Sequence, residues 1–314
     1  MVTIALNGSD ITGMVTKIEW AGSDEEVART CDISYINAPY DQNVKNLPVP
    51  TLGNYITMAE DGEQLFSGRI TGSEKSSGYG TVTANCVEDS QLLAKNKCKY
   101  NFCEPTTPEA AVEMILADYG FPVGSLVSTG IEITSMIING DSIIDAIAKL
   151  YGEATKKNGK KYRVYMHAGA FCVEEKGDIS TEYVLSEGKN ITESHYTEKS
   201  DNVVNRVVLY DKNGNRTGEV TNGESMGAYG TYTEIVSEEI NVDAETQANS
   251  MMQDPEQTLS VTALGNSSCI AGRAISLSDS ATGMYGLYWI KSDRHTWENN
   301  VHTMQLELDF REVS

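Results

Sequence analysis

Long apolar runs and positive charge are both scarce in this sequence. No stretch approaches the roughly 18 unbroken apolar residues of a transmembrane helix, and residues 1–6 lack the basic and apolar regions of a signal peptide. The 45 acidic residues outnumber the 24 basic ones, which gives a formal net charge of −21. Because phosphate contacts need a basic face, we expect no specific nucleic-acid binding. We also expect no stable membrane association and a chain that stays in the cytoplasm where it is made.

The cysteines form no CxxC pair and have no histidines nearby at the spacing of zinc ligands. In residues 82–86 the cysteine alternates with apolar side chains, as a small buried residue does. We therefore expect reduced, structural thiols and no metal site. The six cysteines are Cys31, Cys86, Cys98, Cys103, Cys172 and Cys269.

Two common catalytic motifs are missing as well. The sequence has no HExxH pair and no GxxxxGK(S/T) phosphate loop. A strand–turn–strand could bring together four candidates for a metal or acid–base site, namely Asp293, His295, Glu298 and His302. Residues 297–300 read instead as an exposed turn, and no third ligand is evident. This pattern favours a structural His295.

Cys172 and His167 are a second candidate pair, a thiol nucleophile with a base. Their hairpin pattern favours ordinary strand residues. Paired carboxylates are too common in so acidic a chain to indicate a site. The sequence therefore predicts no catalytic residue, no cofactor and no enzymatic activity.

Short alternating apolar and polar runs fill the first 97 residues. They cover residues 2–6, 15–20, 31–36, 54–59, 65–71 and 81–87, with turn residues at Asn7-Gly8, Asp61-Gly62 and Ser77-Gly78. Many short strands with regular turns are typical of a β-sandwich or barrel.

Residues 98–180 carry a helical pattern instead. Thr107-Pro108-Glu109 combines a capping hydroxyl, a proline at the first helical position and an acid in the first turn. Apolar residues follow at positions 112, 115, 116 and 119, which form one helix face. A second helix is predicted near Asp141, and residues 161–175 predict a hairpin that turns at Ala168-Gly169. The segment reads as a small α+β domain.

Strand patterns return from residue 181. Residues 203–210 read as an apolar strand, residues 211–230 as a hairpin or mobile loop, and a short helix is expected after Asp243. Residues 53–58 resemble residues 272–277, and each segment precedes an aromatic strand that ends at Ile70 or Ile290. We therefore predict a mostly β fold with an α+β insertion: a barrel over residues 1–97, an α+β domain over 98–180 and a related barrel over 181–314.

A series of short motifs in the last third carries a family resemblance. The motifs are residues 185–191, residues 203–208, Ala271-Gly272, residues 288–292 with His295, and the ending over residues 291–304. In this order they resemble the late-control-D, or baseplate hub, family of contractile phage tails. Within that family, the sequence is most similar to hub proteins of myovirus-like prophages and tailocins of Gram-positive bacteria.

The resemblance implies two tube-type β-barrels per chain and a homotrimer. Three chains would form a ring of six barrels that joins the sixfold tail tube protein to the threefold central spike protein, among other baseplate components. The same core occurs in type VI secretion spike proteins. Since the sequence ends at Ser314 without a spike or lysozyme domain, we expect a separate membrane-piercing protein. The chain would move from the host cytoplasm to the baseplate of a phage or a headless, phage-like particle.

The final strand has the cleanest alternation in the sequence. Its apolar residues, at positions 304, 306, 308 and 310, would point into a barrel core. Its polar residues Gln305, Glu307 and Asp309 are candidates for the lining of the lumen. A strand that simply faces solvent explains the same alternation, and the negative charge fits either solubility or a surface that must not hold DNA.

Two other functions are compatible with a β-rich chain that contains 16 tyrosines. One is a carbohydrate-binding or cell-wall-binding module, although no aromatic platform is evident from the spacing. The other is a tail-associated peptidoglycan hydrolase. Trimer formation, sugar binding and peptidoglycan turnover would distinguish the three.

Overall fold

The computed structural model describes residues 1–38, 41–43, 48–76, 80–167, 169–176, 180–237 and 244–310. Strands outnumber helices, by 21 to five among these residues, which confirms a mostly β fold. Residues 1–194 and 261–314 form one compact unit, and residues 195–260 form a second. Within the described ranges, no helix is long and apolar enough to cross a membrane.

The first stretch consists of strands whose buried and exposed residues alternate. They are β1 (Val2–Leu6), β2 (Ser9–Asp10), β3 (Val15–Ser23), β4 (Thr30–Ile36), β5 (Tyr55–Glu60), β6 (Glu63–Ser76) and β7 (Thr81–Glu88). Asn7-Gly8 and Asp61-Gly62 have positive φ at both positions, as the tight turn of a two-residue hairpin requires. The predicted strands and these two turns are confirmed. The predicted turn at Ser77-Gly78 lies outside the described residues.

An α+β segment follows. Its elements are α1 (Gln91–Lys95), β8 (Lys97–Phe102), α2 (Pro108–Asp118), β9 (Val123–Leu126), β10 (Met136–Ser142), α3 (Ile143–Asn158), β11 (Tyr162–His167) and β12 (Ala170–Glu175). The Thr107 hydroxyl accepts a hydrogen bond from the Ala110 amide, and Ser142 caps α3 in the same way. Both helices pack against the β11–β12 hairpin around buried Phe171. The predicted helices and hairpin strands are confirmed, and Ala168 lies outside the described residues.

The remaining elements return to strands. They are β13 (Ser180–Ser186), β14 (Ile191–Lys199), β15 (Arg206–Tyr210), β16 (Arg216–Thr221), α4 (Gly223–Tyr229), β17 (Thr233–Ser237), α5 (Ala244–Met251), β18 (Glu256–Leu264), β19 (Ala274–Asp279), β20 (Met284–Glu298) and β21 (Val301–Asp309).

The second unit has its own small sheet, in the order β16-β15-β17. Val207, Leu209 and Ala248 form its apolar core. Residues 211–230 were predicted as a hairpin or mobile loop. They contain one strand, β16, which pairs with the preceding β15, and then helix α4, which the glycine-rich sequence did not predict. The Asn222 side chain caps α4 by accepting the Ser225 amide at 3.1 Å. The predicted cap Asp243 lies outside the described residues.

The same strand order occurs twice in the large sheet of the first unit. In the first half the order is β1-β5-β6-β7-β4-β3, and in the second it is β13-β19-β20-β21-β18-β14. Residues 191–194 of β14 and 261–264 of β18 belong to this unit. The halves differ at one end, since β1 runs antiparallel to β5 whereas β13 runs parallel to β19. They are joined where β3 pairs with β20.

The hydrogen bonds of the two halves also correspond residue by residue. The Gly53 amide donates to the Ile70 carbonyl at 2.9 Å, and the Gly272 amide donates to the Ile290 carbonyl at 2.7 Å. Both glycines have φ near +80°. One residue after each isoleucine, the ladder to the next strand contains a bulge. The predicted similarity of residues 53–58 and 272–277 is therefore present in the backbone, while the division into barrels at residues 97 and 180 stays a prediction.

Candidate functional site

The predicted lumen residues lie on β21. Met304, Leu306 and Leu308 are buried, whereas Gln305 is exposed and Glu307 and Asp309 are half-buried. Phe310, which was predicted to point into the core, is half-buried after the strand ends and packs edge-on against Tyr288. The three candidate side chains thus share the polar side of one strand. Whether that side lines a lumen stays a prediction.

Neighbouring strands continue this side of the sheet. Residues that lie directly opposite each other on paired strands point to the same face, so the registers define the surface. It extends through β21, β20, β3, β4, β7 and β6. We call it the polar face; it comprises Gln305, Glu307, Asp309, Arg294, Thr296, Lys17, Glu19, Asp32, Ser34, Thr83, Asn85 and Glu74.

Acidic groups predominate on the polar face, and they lie close to one another. Partial burial raises the pKa of Asp32, and the nearby Glu19 carboxylate raises it further. Glu307 accepts hydrogen bonds from Lys291 Nζ and Ser292 Oγ, each at 3.2 Å. The five carboxylates of the polar face, on Glu19, Asp32, Glu74, Glu307 and Asp309, outnumber the basic groups of Lys17 and Arg294, so the face is negatively charged and disfavours phosphate.

A buried polar cluster lies on the opposite side of the sheet, where β3 meets β20. It consists of Arg29, Asp293, His295, His302 and Trp20. The Arg29 guanidinium donates to both carboxylate oxygens of Asp293, with 3.1 Å between Nη1 and Oδ1. The Arg29 Cζ also lies 3.9 Å from the centroid of the Trp20 ring. The Asp293 side chain is fully buried and accepts the Ala271 amide at 2.7 Å as well.

The two histidines of the cluster are neutral, and their rings are hydrogen-bonded to each other. His295 Nε2 lies 3.1 Å from the Cys269 carbonyl oxygen, which can only accept, so that nitrogen carries the proton. His295 Nδ1 therefore accepts from His302 Nε2 at 3.1 Å. Desolvation lowers the pKa of His295, and desolvation together with the neighbouring His295 lowers the pKa of His302 to about 4.

Three of the four candidate catalytic residues, Asp293, His295 and His302, lie in this cluster. The Asp293 carboxylate is paired with the Arg29 guanidinium, and the His295 ring is fully buried with both nitrogens at hydrogen-bonding distance from a partner. A purely structural role for His295 stays a prediction. Glu298 is exposed and its register places it on the other face of β20. Trp297 was predicted to lie in an exposed turn; it is instead half-buried and stacked on His302 at a centroid distance of 4.0 Å.

The remaining candidates lie apart from this cluster. Cys172 is buried within β12 and His167 is exposed at the end of β11. Of the six free cysteines, Cys103 alone is exposed. Burial raises the pKa of the Cys86 thiol to about 12, which makes it inert as a nucleophile. In the described parts of the chain, no group of three His, Cys, Asp or Glu side chains could hold a metal ion.

Comparison with known proteins gives the family. The model of the YQBQ-like family matches residues 18–309, so the chain belongs to this family. The phage-like element PBSX protein XkdQ of Bacillus subtilis (strain 168) is 26% identical over 267 residues, which cover 82% of this chain and 81% of XkdQ.

Solved structures share the fold at low sequence identity. The 43 kDa tail protein of prophage MuSo2 from Shewanella oneidensis has a TM-score of 0.71 and 14% identity, with 98% of both chains covered. The Escherichia coli c3393 protein, a component of the type VI secretion system, has a TM-score of 0.54 and 12% identity; 99% of this chain and 77% of c3393 are covered. The chain therefore has the fold of phage tail and type VI secretion proteins. Membership of the baseplate hub family stays a prediction.

Proposed function

We propose that the chain is a structural baseplate hub of a contractile, phage-like tail. Three copies would form a ring of six similar halves between the tail tube protein and the central spike protein. The observation that carries this proposal is the repeated strand order within one chain, with the two halves joined at β3 and β20. Because each chain has two similar halves, three copies would place six nearly equivalent halves around the ring.

The relatives and the surface charge support the proposal. The neighbours include a prophage tail protein from Shewanella oneidensis and a tail protein from Neisseria meningitidis MC58, and c3393 is structurally similar to the T4 tail proteins gp27 and gp5. On a ring, the polar face would line the lumen, with Gln305, Glu307 and Asp309 among its residues. Its acidic character would let DNA or tube contents pass without binding. Assembly would take place in the host cytoplasm, and the mature location would be the baseplate.

The proposal assigns no catalysis and no required metal. The His295–His302 contact would stabilise the fold and take no part in chemistry. Replacing both residues with Gln tests this assignment, because Gln keeps hydrogen-bonding groups but cannot act as an acid–base pair. Particles should be purified from cells in which the variant replaces the wild-type chain, with thermal unfolding as a check of folding.

The expected result is a normal particle yield and normal particle activity from a folded variant. Inactive particles that contain a folded, incorporated variant would support a catalytic role, such as peptidoglycan hydrolysis. A chain that is absent from tail particles and binds cell-wall sugars would instead support the carbohydrate-binding alternative.

A further inference from the structure

A polar cavity lies within the first unit. Its volume is about 400 Å³, and it is lined by β3 with the loop that follows, the turn between β5 and β6, strand β11 and residues 267–273. This volume is within the range of sites that bind small molecules or single side chains. We call it the arginine cavity, because Arg29, Arg163 and Arg273 line it together with Trp20 and Asp24.

Each of these five side chains has a buried polar atom that lacks a hydrogen-bond partner in the described part of the chain. Four of the atoms are donors, and the fifth is an acceptor, Oδ1 of Asp24. The donors are Trp20 Nε1, Arg29 Nε, Arg163 Nη2 and Arg273 Nε. The side chains of Asp24 and Arg163 are only 7% and 8% exposed. Since burying an unpaired polar atom is costly, five of them around one cavity indicate a site for a polar ligand.

Two of the guanidinium groups are held by contacts around Ala271. Arg163 donates to the Ala271 carbonyl, and its Nε donates to Glu174 at 2.5 Å. The Ala271 amide donates to Asp293 at 2.7 Å, and the same carboxylate binds Arg29. Each of the two arginines therefore has a carboxylate partner and a fixed position, and each keeps one unpaired N–H.

Arg273 lies in the same segment but is not neutralised in the same way. Its Nη1 donates to the Ser268 carbonyl at 3.3 Å, and among the described residues it has no carboxylate partner. Asp24 binds Lys176 through Oδ2 and leaves Oδ1 unpaired. The buried groups therefore offer several N–H donors, an uncompensated guanidinium and, beside them, a single acceptor whose charge is already neutralised.

The carboxylates of the lining restrict the charge of the ligand. Glu26, Asp61 and Glu63 are exposed at the opening of the arginine cavity, and Glu60 is half-buried in its lining. Guanidinium groups bind both carboxylates and phosphates through paired N–H bonds. The surrounding carboxylates repel a doubly charged phosphate more strongly than a singly charged carboxylate. The cavity therefore favours a ligand with one carboxylate group.

We propose that the arginine cavity binds the C-terminal end of a partner polypeptide. The terminal carboxylate would accept from the unpaired arginine N–H groups, and the amide N–H of the last residue would donate to Asp24 Oδ1. Because Lys176 already neutralises Asp24, an uncharged amide is sufficient there. Clustered donors capture terminal carboxylates in other recognition sites. The site is complete within one chain, so it does not depend on the proposed ring.

The indole N–H of Trp20 is a direct probe of the cavity. The chain has three tryptophans; Trp20 lines the cavity, whereas Trp289 does not. N-acetylglycine is a suitable ligand, because it carries a terminal carboxylate and the preceding amide N–H. It should be titrated into the purified chain while nitrogen–proton NMR spectra are recorded, with Trp20→Phe to assign the signal. We expect the Trp20 signal to move saturably and the Trp289 signal to stay in place.

Matched compounds test the two halves of the ligand separately. Acetate keeps the carboxylate without the amide, and N-acetylglycinamide keeps the amide N–H without the carboxylate. At equal ionic strength, acetate should bind several-fold more weakly than N-acetylglycine, and N-acetylglycinamide should not bind. Equal binding of acetate or of inorganic phosphate would overturn the proposal in favour of an unselective anion site. Tighter binding of free glycine would overturn it in favour of an amino-acid site.

Arg273→Gln tests the residue assignment. Because Arg273 has no carboxylate partner in the described residues, its removal leaves no buried charge uncompensated. The affinity for N-acetylglycine should fall about tenfold, the effect of losing one charged hydrogen bond. Arg69→Gln, at an exposed site in the same unit, is the control and should bind as the wild type does.

Thermal unfolding checks that both variants are folded, and the compound series on the wild type does not depend on them. A wild-type Trp20 signal that does not move saturably would overturn the site. Unchanged affinity in folded Arg273→Gln would do the same. Neither result bears on the proposed hub function, which depends on the ring in assembled particles.

Discussion

Asp293 links the two halves of the large sheet through a charge that is fully buried. Removing its carboxylate leaves the Arg29 guanidinium without its partner in a desolvated site. Asp293→Ala should therefore lower the free energy of unfolding by about 3–5 kcal/mol. Glu153→Ala removes the exposed ion pair with Lys156 and is the matched control, with an expected change of about 0.5 kcal/mol or less. Urea unfolding of both variants checks this; equal losses would contradict it.

The buried carboxyl of Glu88 makes the stability of the folded chain depend on pH. Burial raises the pKa of its carboxyl from 4.5 to about 7, although its Oε2 accepts the Arg29 amide at 3.1 Å. The raised pKa means that protonated Glu88 favours the folded state. This stabilisation is complete below pH 4.5 and is lost as pH rises through about 7.

Glu88→Gln should therefore gain stability relative to the wild type as pH rises from 5 to 8. The gain is at most about 3 kcal/mol, and Gln keeps an oxygen that can accept the Arg29 amide. Urea unfolding at several pH values measures the difference, with Glu153→Gln as the exposed control. A difference between wild type and Glu88→Gln that stays flat over this range would show that Glu88 titrates normally in the folded chain.

The sequence favoured a packed, hydrogen-bonded His295 but did not give its partners. The lack of an evident third ligand was the reason to disfavour a metal or acid–base site there. Arg29 could not be predicted, because it lies 264 residues from Asp293 in the chain and follows no periodic pattern. Only the pairing of β3 with β20 brings the two together.

At the scale of elements, the turns before β5 and β19 correspond to each other. The effect of the same glycine-to-alanine substitution on stability can therefore be compared at the two turns. Gly53 and Gly272 have φ values of +80° and +83°, so alanine at either position is strained by about 1–2 kcal/mol. A Cβ at Gly53 would meet open space, whereas one at Gly272 would overlap the Arg163 side chain. Arg163 is itself fixed by donating to the Ala271 carbonyl.

Gly272→Ala should therefore destabilise the protein by about 1–3 kcal/mol more than Gly53→Ala does. Chemical unfolding of the two variants measures the difference. Equal losses would mean that Arg163 moves aside without cost, and that the contact between β11 and the Gly272 turn does not hold these elements together.

Most elements were predictable because alternation and capping are local properties. Thr107-Pro108 and the 301–310 alternation determined α2 and β21 directly. The second unit was not predicted as a separate body, because the sequence of residues 211–230 gives turn signals without periodicity. The register between β3 and β20 depends on contacts across the whole chain, which no local pattern encodes.

For the whole molecule, one arrangement of strands appears twice, and the polar face is continuous across both halves. The net charge of −21 opposes the self-association that the proposed ring requires. Strand pairing between copies would offset this repulsion by satisfying exposed backbone groups. The family resemblance of the sequence suggested a ring, and the repeated strand order is the observation that supports this proposal.

Electron cryo-microscopy of the isolated tail baseplate tests the central claim most directly. We predict a ring of three copies of this chain between tube and spike, with Gln305, Glu307 and Asp309 facing the lumen. A threefold ring in which these three side chains face outward would contradict the lumen assignment. A baseplate in which this chain is absent, or lies outside any threefold ring, would contradict the proposed hub function.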